Sequence, residues 1–163
     1  MSTHIRPATS ADRPAIWAIL QPVFAAGETY TVPRDMSEAQ ALDYWFHEGH
    51  QVLVAEEDGK MVGTYFLQAN QRGGGSHVAN CGYVTAPDAT GRGVARAMCI
   101  DSLERAKAAG FRAMQFNFVV STNQRAVHLW KSLGFAIVGT LPQAFQHASL
   151  GYVDAFVMYR SLI

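Results

Sequence analysis

The sequence predicts a single α/β domain over residues 1–163, with a mixed, mostly antiparallel central sheet and helices on both of its faces. Apolar runs of strand length alternate with segments of helical periodicity, in the order β-α-α-β-β-β-α-β-α-β-β. The dipeptide Asp58-Gly59 lies between two strand-like runs and is typical of an antiparallel hairpin. The glycine-rich stretch Gly91-Arg-Gly93 follows another strand-like run and opens a long helical pattern, as a strand-to-helix turn does.

Start and stop signals bound the elements before the hairpin. A Ser or Asp side chain satisfies free N–H groups at a helix start, and glycine accepts the left-handed conformation in which helices end. Ser37 followed three residues later by Gln40 is a capping box. These signals predict a strand over residues 3–8, a helix from Ser10 to about Ala26, a loop over 28–36 and a helix from Ser37 to Gly49.

The same signals define the rest of the chain. Alternating apolar residues indicate strands, and glycines at 110 and 134 end the two remaining helices. Strands are predicted over 51–56, 61–70 and 77–85, with a flexible loop over 72–76. A helix then runs from the glycine-rich turn to Gly110, followed by a strand over 113–120 and a helix that is capped by Ser121 or Thr122 and ended by Gly134. The last two strands, over 135–141 and 152–160, are joined by a loop of about ten residues.

Composition excludes several function classes. Thirteen Lys and Arg residues balance thirteen Asp and Glu residues, so a nucleic-acid binder with a broad basic face is not expected. Cys81 and Cys99 lack metal-ligand spacing and predict buried free thiols, with no metal site. Since no apolar run approaches about 18 residues and no signal pattern precedes His4, a cytoplasmic protein without membrane attachment is expected.

The stretch from Asp88 to Arg96 predicts a site for a phosphate or pyrophosphate. The first N–H groups of a helix have no partner within the helix, and the helix dipole adds partial positive charge there. Gly91 and Gly93 allow a ligand to approach the main chain closely, while Arg92 and Arg96 add two positive charges. A P-loop is excluded, because no Lys-Ser or Lys-Thr follows the last glycine.

Three segments, in this order, resemble signatures of the GNAT superfamily, the acetyl-CoA-dependent N-acetyltransferases, and the resemblance covers essentially the whole chain. Gly82-Tyr-Val84 resembles the strand that lies against pantetheine. Thr90-Gly-Arg-Gly-Val-Ala95 resembles the pyrophosphate-binding pattern Q/R-x-x-G-x-G/A, with Thr90 where the family often has Gln or Arg. Residues 123–135 resemble N-x-x-A-x-x-L-Y-x-x-x-G-F, with Trp130 in place of a tyrosine that is thought to protonate the leaving thiolate.

The resemblance implies an acetyl-CoA site between splayed fourth and fifth strands. The pyrophosphate is expected on the N–H groups of residues 92–96, and pantetheine beside residues 82–84 as an added strand. A backbone N–H near Val84, with Val84 as the named candidate, is expected to stabilise an oxyanion, and Asn123, which matches the family motif directly, to act on the cofactor. The expected cofactor-contacting residues are Gly82, Tyr83, Val84, Gly91, Arg92, Gly93, Val94, Ala95, Arg96, Asn123, Ala126 and Trp130.

The implied reaction is acetyl transfer to the amine of a small metabolite, an amino acid or an analogue of one. The amine attacks as the free base, so a base must remove a proton; Glu28 is the expected base and His147 the alternative. For Asn80 and Asn117, pairing with the backbone at the splay is an equal alternative to binding the acceptor. The expected acceptor-binding residues are Phe24, Tyr30, Asn80, Asn117, Phe145 and His147.

Residues 116–119 and 141–145 resemble enzymes that acetylate amino acids and proline analogues such as azetidine-2-carboxylate. Two other functions stay open: a protein or peptide N-acetyltransferase, and a sensor that binds CoA without catalysis. The sensor is motivated by Trp130 and by the absence of an evident base. Because members of the superfamily are frequently dimers, a homodimer is a further expectation by analogy.

Overall fold

In the computed structural model, which describes residues 2–163, seven strands form one sheet. They are β1 (His4–Pro7), β2 (Gln51–Glu57), β3 (Lys60–Ala69), β4 (Val78–Thr85), β5 (Ala113–Val120), β6 (Ala136–His147) and β7 (Gly151–Ser161). Their order is β1-β2-β3-β4-β5-β7-β6, and all neighbours are antiparallel except β4 and β5, which are parallel. The prediction of a mixed, mostly antiparallel sheet is confirmed.

Helices cover both faces of this sheet, as predicted. They are α1 (Arg13–Ala26), α2 (Glu38–Trp45), α3 (Val94–Ala108) and α4 (Gln124–Ser132). Adjacent residues of β3 show the two faces, because side chains alternate along a strand. Thr64 accepts a hydrogen bond of 3.0 Å from Trp45 of α2, whereas Tyr65 donates one of 2.5 Å to Asp101 of α3. Within residues 2–163, no helix has the length and apolar character needed to cross a membrane.

The entry into α1 differs from the prediction. A 3-10 turn over Ser10–Asp12 precedes the helix, and Thr9, not Ser10, occupies the cap position. The Asp12 carboxylate explains the shift, because it accepts from the Thr9 N–H at 2.7 Å and from two guanidinium nitrogens of Arg6 at 2.8 and 2.9 Å. This bidentate pair ties β1 to the start of α1.

Asp12→Asn is expected to lower the free energy of unfolding by about 1–2 kcal/mol at neutral pH, because it removes a cap and a charge-assisted pair. The hydrogen bonds from Arg6 lower the pKa of Asp12 to about 2, from an ordinary value of 3.8. The carboxylate therefore contributes fully above about pH 4, and its contribution is lost as the pH falls through 2. Urea unfolding at pH 7 and pH 2 checks this: the two proteins should converge at pH 2, and an equal gap at both pH values would contradict it.

The last two strands form a longer hairpin than the sequence predicts. The expected ten-residue loop is only a turn over residues 148–150, and β6 continues through a bulge between residues 141 and 145. In the bulge Gln143 has a φ of 49°, and its N–H donates to Asp154 Oδ1 at 2.9 Å. The first N–H of the turn donates to the Gly27 carbonyl at 3.1 Å. The hairpin tip therefore lies against the end of α1.

Candidate active site

The sheet opens between β4 and β5. These strands pair only over residues 78–79 and 113–114, next to one end of each strand. Beyond that point they diverge, and we call the gap between residues 80–85 and 115–120 the wedge. The predicted splay of the fourth and fifth strands is therefore present.

A cavity of about 520 Å³ occupies the wedge. Its walls come from β4, β5, the start of α3, α4 and the loop after α1. This arrangement brings together many of the residues singled out from the sequence. Those that line it are Tyr30, Asn80, Gly82, Tyr83, Val84, Ala95, Asn117, Asn123, Ala126 and Trp130.

Backbone hydrogen bonds at the two ends of β4 fix which of its groups face the wedge. The Ala86 N–H donates to the Val62 carbonyl and the Asn70 N–H donates to the Val78 carbonyl, both at 2.8 Å. The β3–β4 register between these bonds is unbroken. In an antiparallel pair, the N–H and C=O groups of every second residue bond to the neighbouring strand, and those of the residues between them point to the other side. Even-numbered residues of β4 therefore bond to β3, and odd-numbered residues face β5.

This register changes the role expected for Val84. Val84 lines the cavity, but its N–H points to Thr64 of β3 and not into the wedge. It is therefore not placed to bind an oxyanion there. Local sequence carries no signal for this, because the direction of each N–H depends on how β4 pairs with β3. The N–H groups that face the wedge belong to Cys81, Tyr83 and Thr85.

The turn before α3 presents unpaired N–H groups. Gly91 and Gly93 have φ angles of 79° and 84°, and a Cβ at either would meet no atom within 4 Å. None of the N–H groups of residues 92–96 donates to another group in the part of the chain that the structure describes. Together with the helix dipole, they form a local anion site. Thr90 and Ala95 of the same turn line the wedge cavity.

The side chains around this turn point elsewhere. Arg92 lies 3.1 Å from the carboxylate of Glu57, whose side chain is 5% exposed, and Arg96 donates to Ser132 of α4 at 3.0 Å. Val94 is buried against Gly63 of β3, where its Cγ1 would lie 3.1 Å from an added Cβ. The guanidinium groups therefore hold the turn in place, and the main chain supplies the anion site.

Trp130 forms one wall of the wedge. The indole is 8% exposed and packs against Tyr83 and Phe116, with ring centroids 5.2 and 5.0 Å away. The Tyr83 hydroxyl shares a hydrogen bond of 2.6 Å with Ser102 of α3. Burial raises the pKa of Tyr83 well above its usual range, so the phenol stays protonated.

Tyr30 reaches over β4 from the loop after α1. Its hydroxyl donates to the Tyr83 carbonyl at 3.0 Å, and burial raises its pKa well above the usual range, so it remains a donor. Phe24, which is buried, packs behind the Tyr30 ring at 5.2 Å. A Cβ at residue 82 would lie 2.5 Å from the Phe66 ring and 3.1 Å from the Tyr30 hydroxyl. Gly82 is therefore required for this close approach.

The two asparagines of the wedge have different partners. Asn80 is 9% exposed, and its Nδ2 donates to the Gln115 carbonyl of β5 at 2.9 Å. Its amide thus pairs with backbone at the splay, as one of the two alternatives expected. Asn117 is exposed, lines the cavity, and donates to Asn70 Oδ1 at 2.5 Å.

Asn123 begins α4 at the wall of the wedge. It is the N-cap residue, and its side chain accepts from the Ala126 N–H at 3.4 Å. The expectation that Ser121 or Thr122 caps this helix is therefore wrong. The spacing Asn-x-x-Ala is the signal for the cap, since the first residue accepts from the N–H three positions later.

Four of the predicted acceptor and base residues do not line the wedge cavity: Phe24, which packs behind Tyr30, and Phe145, His147 and Glu28. Phe145 is 6% exposed and lines a neighbouring cavity of about 250 Å³ that also borders Tyr30. His147 Nδ1 accepts from the N–H groups of Ser149 and Leu150 at 3.1 and 3.2 Å, so this ring stabilises the hairpin turn. Glu28 is exposed and precedes Thr29, which lines the wedge cavity.

Some cavity residues carried no signal in the sequence. They come from the loop after α1, from α2 and from β3, and they match no local motif. Only the assembled sheet brings them beside β4. They include Thr29, Thr31, Tyr44 and Phe66.

Comparisons with known proteins agree with this geometry. Residues 14–135 match the model of the Acetyltransferase (GNAT) family. A GCN5-related N-acetyltransferase from Kribbella flavida superposes with a TM-score of 0.92 at 42% identity, covering 98% of this chain and 97% of that one. The N-acetyltransferase aca1 of Schizosaccharomyces pombe is 28% identical over 148 residues, which are 80% of this chain and 71% of that protein. An L-methionine sulfoximine/L-methionine sulfone acetyltransferase from Pseudomonas aeruginosa is 32% identical over 157 residues, which are 90% of this chain and 87% of that protein. Since the family match spans most of its length, this chain belongs to the GNAT family of acetyltransferases.

Proposed function

We propose that this protein transfers an acetyl group from acetyl-CoA to the amine of a small amino acid or amino-acid analogue. One observation carries the proposal: a single cavity extends from Thr90 and Ala95, in the turn with the unpaired N–H groups, to the N–H groups of β4 that face the wedge. Such a cavity fits a ligand with an anionic end and a long amide-bearing arm. Acetyl-CoA has both, and it supplies an acetyl group activated as a thioester.

The residues divide the binding of that ligand between them. The N–H groups of residues 92–96 donate hydrogen bonds to the diphosphate, where the helix dipole favours negative charge. The amides of Cys81, Tyr83 and Thr85 hydrogen-bond the arm as an added strand would. A wedge-facing N–H that donates to the reacting carbonyl stabilises negative charge on its oxygen, an effect worth about 3 kcal/mol. The direction of the β4 amides favours the odd-numbered residues over Val84 for this role.

The acceptor side of the wedge carries no carboxylate among the lining residues that the structure describes. The residues that line it include Thr29, Tyr30, Thr31 and Asn117, which are uncharged. This favours an acceptor with a single amine over a polyamine. The hairpin tip lies against Gly27, two residues before Thr29 of this side, which favours a small molecule over a peptide. The Pseudomonas aeruginosa relative, named for two amino-acid analogues, supports the same class.

Glu28 is the better of the two candidate bases. The Nδ1 lone pair of His147 already accepts hydrogen bonds, so the neutral ring has its proton on Nε2 and no free lone pair. The Glu28 carboxylate has no hydrogen-bond or ionic partner among residues 2–163. It is joined to the cavity through Thr29, so a water chain along this loop would carry the amine proton to it.

Glu28→Gln is expected to lower kcat/KM at pH 7 by about 100-fold, the usual effect of losing a general base. The Kd of CoA should stay unchanged, because residue 28 lies outside the cofactor end of the wedge. Steady-state kinetics from pH 6 to 9 and calorimetry with CoA provide the measurements. His147→Gln serves as the matched control. A larger loss in the histidine variant than in Glu28→Gln, at equal thermal stability, would reverse the assignment.

A thiol-release assay tests the proposed function. Acetyl-CoA is incubated with amino acids, methionine sulfoximine, methionine sulfone, azetidine-2-carboxylate, a polyamine and a peptide with an N-terminal alanine. Turnover with the amino-acid class is the expected result. CoA binding without turnover on any amine would indicate a sensor, and a clear preference for the peptide would indicate a protein acetyltransferase; either outcome contradicts the proposal.

A further inference from the structure

We propose that Asn80 closes the inner end of the wedge and thereby limits the length of the acyl chain that the enzyme accepts. The inference rests on the proposed function, because it takes the wedge as the acyl-CoA site. It concerns a residue whose amide touches neither the anion site nor the acceptor loop. The role assigned to Asn80 is to position β5 relative to β4.

Asn80 stands where the ladder between β4 and β5 stops. Ala79, the preceding residue, is the last of β4 to pair with β5, and from there the strands diverge. The Asn80 Nδ2 spans the next position and donates to the Gln115 carbonyl at 2.9 Å. Its Oδ1 accepts from Gln68 of β3 at 3.2 Å, which fixes the orientation of the amide. One side chain therefore replaces the next rung of the ladder and links three strands.

We call the hydrogen bond from Asn80 to the Gln115 carbonyl the bridge. The bridge lies at the end of the cavity farthest from the anion site. The anion site follows Thr85, and both Thr85 and Asn80 line the same cavity. The five-residue step between them spans about 16 Å, since a strand rises about 3.3 Å per residue. A ligand held by its diphosphate before α3 and lying along β4 therefore points its far end, the acyl group, at Asn80.

The bridge sets how far that end can reach. While Nδ2 holds the Gln115 carbonyl, the strands stay together at residue 80 and the cavity stops there. Without it, the two strands can separate by one more position, which leaves room for additional methylene groups. An Asp at this position would place a carboxylate oxygen against the carbonyl of Gln115 and repel it, because neither atom carries a proton to donate.

CoA thioethers test the inference without catalysis. S-ethyl-CoA matches the short chain and S-butyl-CoA the long one, and calorimetry gives the Kd of each. The wild type is expected to bind the ethyl compound at least about tenfold more tightly, the discrimination that a few misplaced methylenes produce. In Asn80→Ala and Asn80→Asp this ratio should fall to about twofold or less.

Gln115→Ala is the matched control. It removes the Gln115 side chain but keeps the main-chain carbonyl that Asn80 holds, so the ratio should remain that of the wild type. Melting temperatures identify a variant that does not fold, and Asn80→Asp, which preserves the shape of the side chain, then provides the measurement. A purely structural role for Asn80 would lower the melting temperature and leave the ratio unchanged.

The outcomes separate this inference from the proposed function. A wild type that does not distinguish the two thioethers, or Asn80 variants that keep its ratio, would overturn the inference while acetyl transfer remains. A shifted ratio without turnover on any amine would support the inference and remove the proposed reaction. If the wild type bound neither compound, the wedge would not be an acyl-CoA site and both would be overturned.

Discussion

Gly93→Glu is expected to abolish CoA binding, with a Kd at least about 100-fold higher than that of the wild type, because a like-charge juxtaposition across an interface costs several kcal/mol. The carboxylate would enter the space in front of the N–H groups of residues 92–96, where the diphosphate is proposed to bind. No atom lies within 4 Å of an added Cβ at residue 93, so the side chain would occupy the ligand site and displace no protein group. Calorimetry with CoA measures the loss.

The control separates charge from backbone strain. The φ of Gly93 is 84°, a conformation that costs most side chains about 1–2 kcal/mol. Asn tolerates this region better than most residues and carries no charge. Gly93→Asn should therefore raise the Kd by about tenfold or less while thermal melting shows both variants folded. Normal CoA binding by folded Gly93→Glu would show that the anion site lies elsewhere.

Features that the sequence predicted correctly are encoded by residues close together in the chain. Ser37 and Gln40 form the predicted capping box, with hydrogen bonds of 3.0 and 3.2 Å. Asp58 and Gly59 have φ angles of 52° and 77°, as a two-residue hairpin turn requires. Gly93 opens α3 with a positive φ. Each of these signals acts within a few residues and needs no knowledge of the sheet.

Features that the sequence did not predict depend on partners far along the chain. The direction of the Val84 N–H follows from its pairing with β3, and a shift of one residue would reverse it. The bulge at residues 141–145 interrupts the alternation of β6, so the second half of that strand resembled a loop. Arg92 was predicted to be a phosphate ligand, since no residue near it in the chain pairs with its charge. Its actual partner, Glu57, lies far away in the sequence, at the end of β2.

The acceptor side illustrates the same limit. Tyr30 was singled out as an aromatic residue in a loop, but its function as a donor to the Tyr83 carbonyl depends on glycine at residue 82 of a different element. His147 was a candidate base by residue type, yet the turn that follows it occupies its lone pair. Residue type identifies groups capable of the chemistry, whereas the tertiary partners decide which of them remain free to perform it.

Trp130→Ala is expected to lower the free energy of unfolding by about 3–5 kcal/mol, the usual cost of removing a large buried aromatic side chain. It should also weaken CoA binding, because the indole packs against Tyr83 and supports the strand that faces the arm of the ligand. Urea unfolding and calorimetry measure the two effects. A decrease in the free energy of unfolding below about 1 kcal/mol would show that neighbouring side chains fill the space left by the indole.

Trp130→Tyr and Trp130→Phe distinguish packing from proton donation. Indole N–H does not titrate usefully, so Trp130 cannot protonate a leaving thiolate as a tyrosine would. A thiol with a pKa of about 8.5 leaves readily as its anion, and we therefore expect both variants to keep kcat within about threefold of the wild type and of each other. A kcat much higher in the tyrosine variant alone would show that protonation limits the reaction. A large and equal rise in the KM for acetyl-CoA in both variants would show instead that the indole itself contacts the cofactor. Tyrosine and phenylalanine keep an aromatic ring at this position, but their rings are smaller than indole and would lose part of that contact.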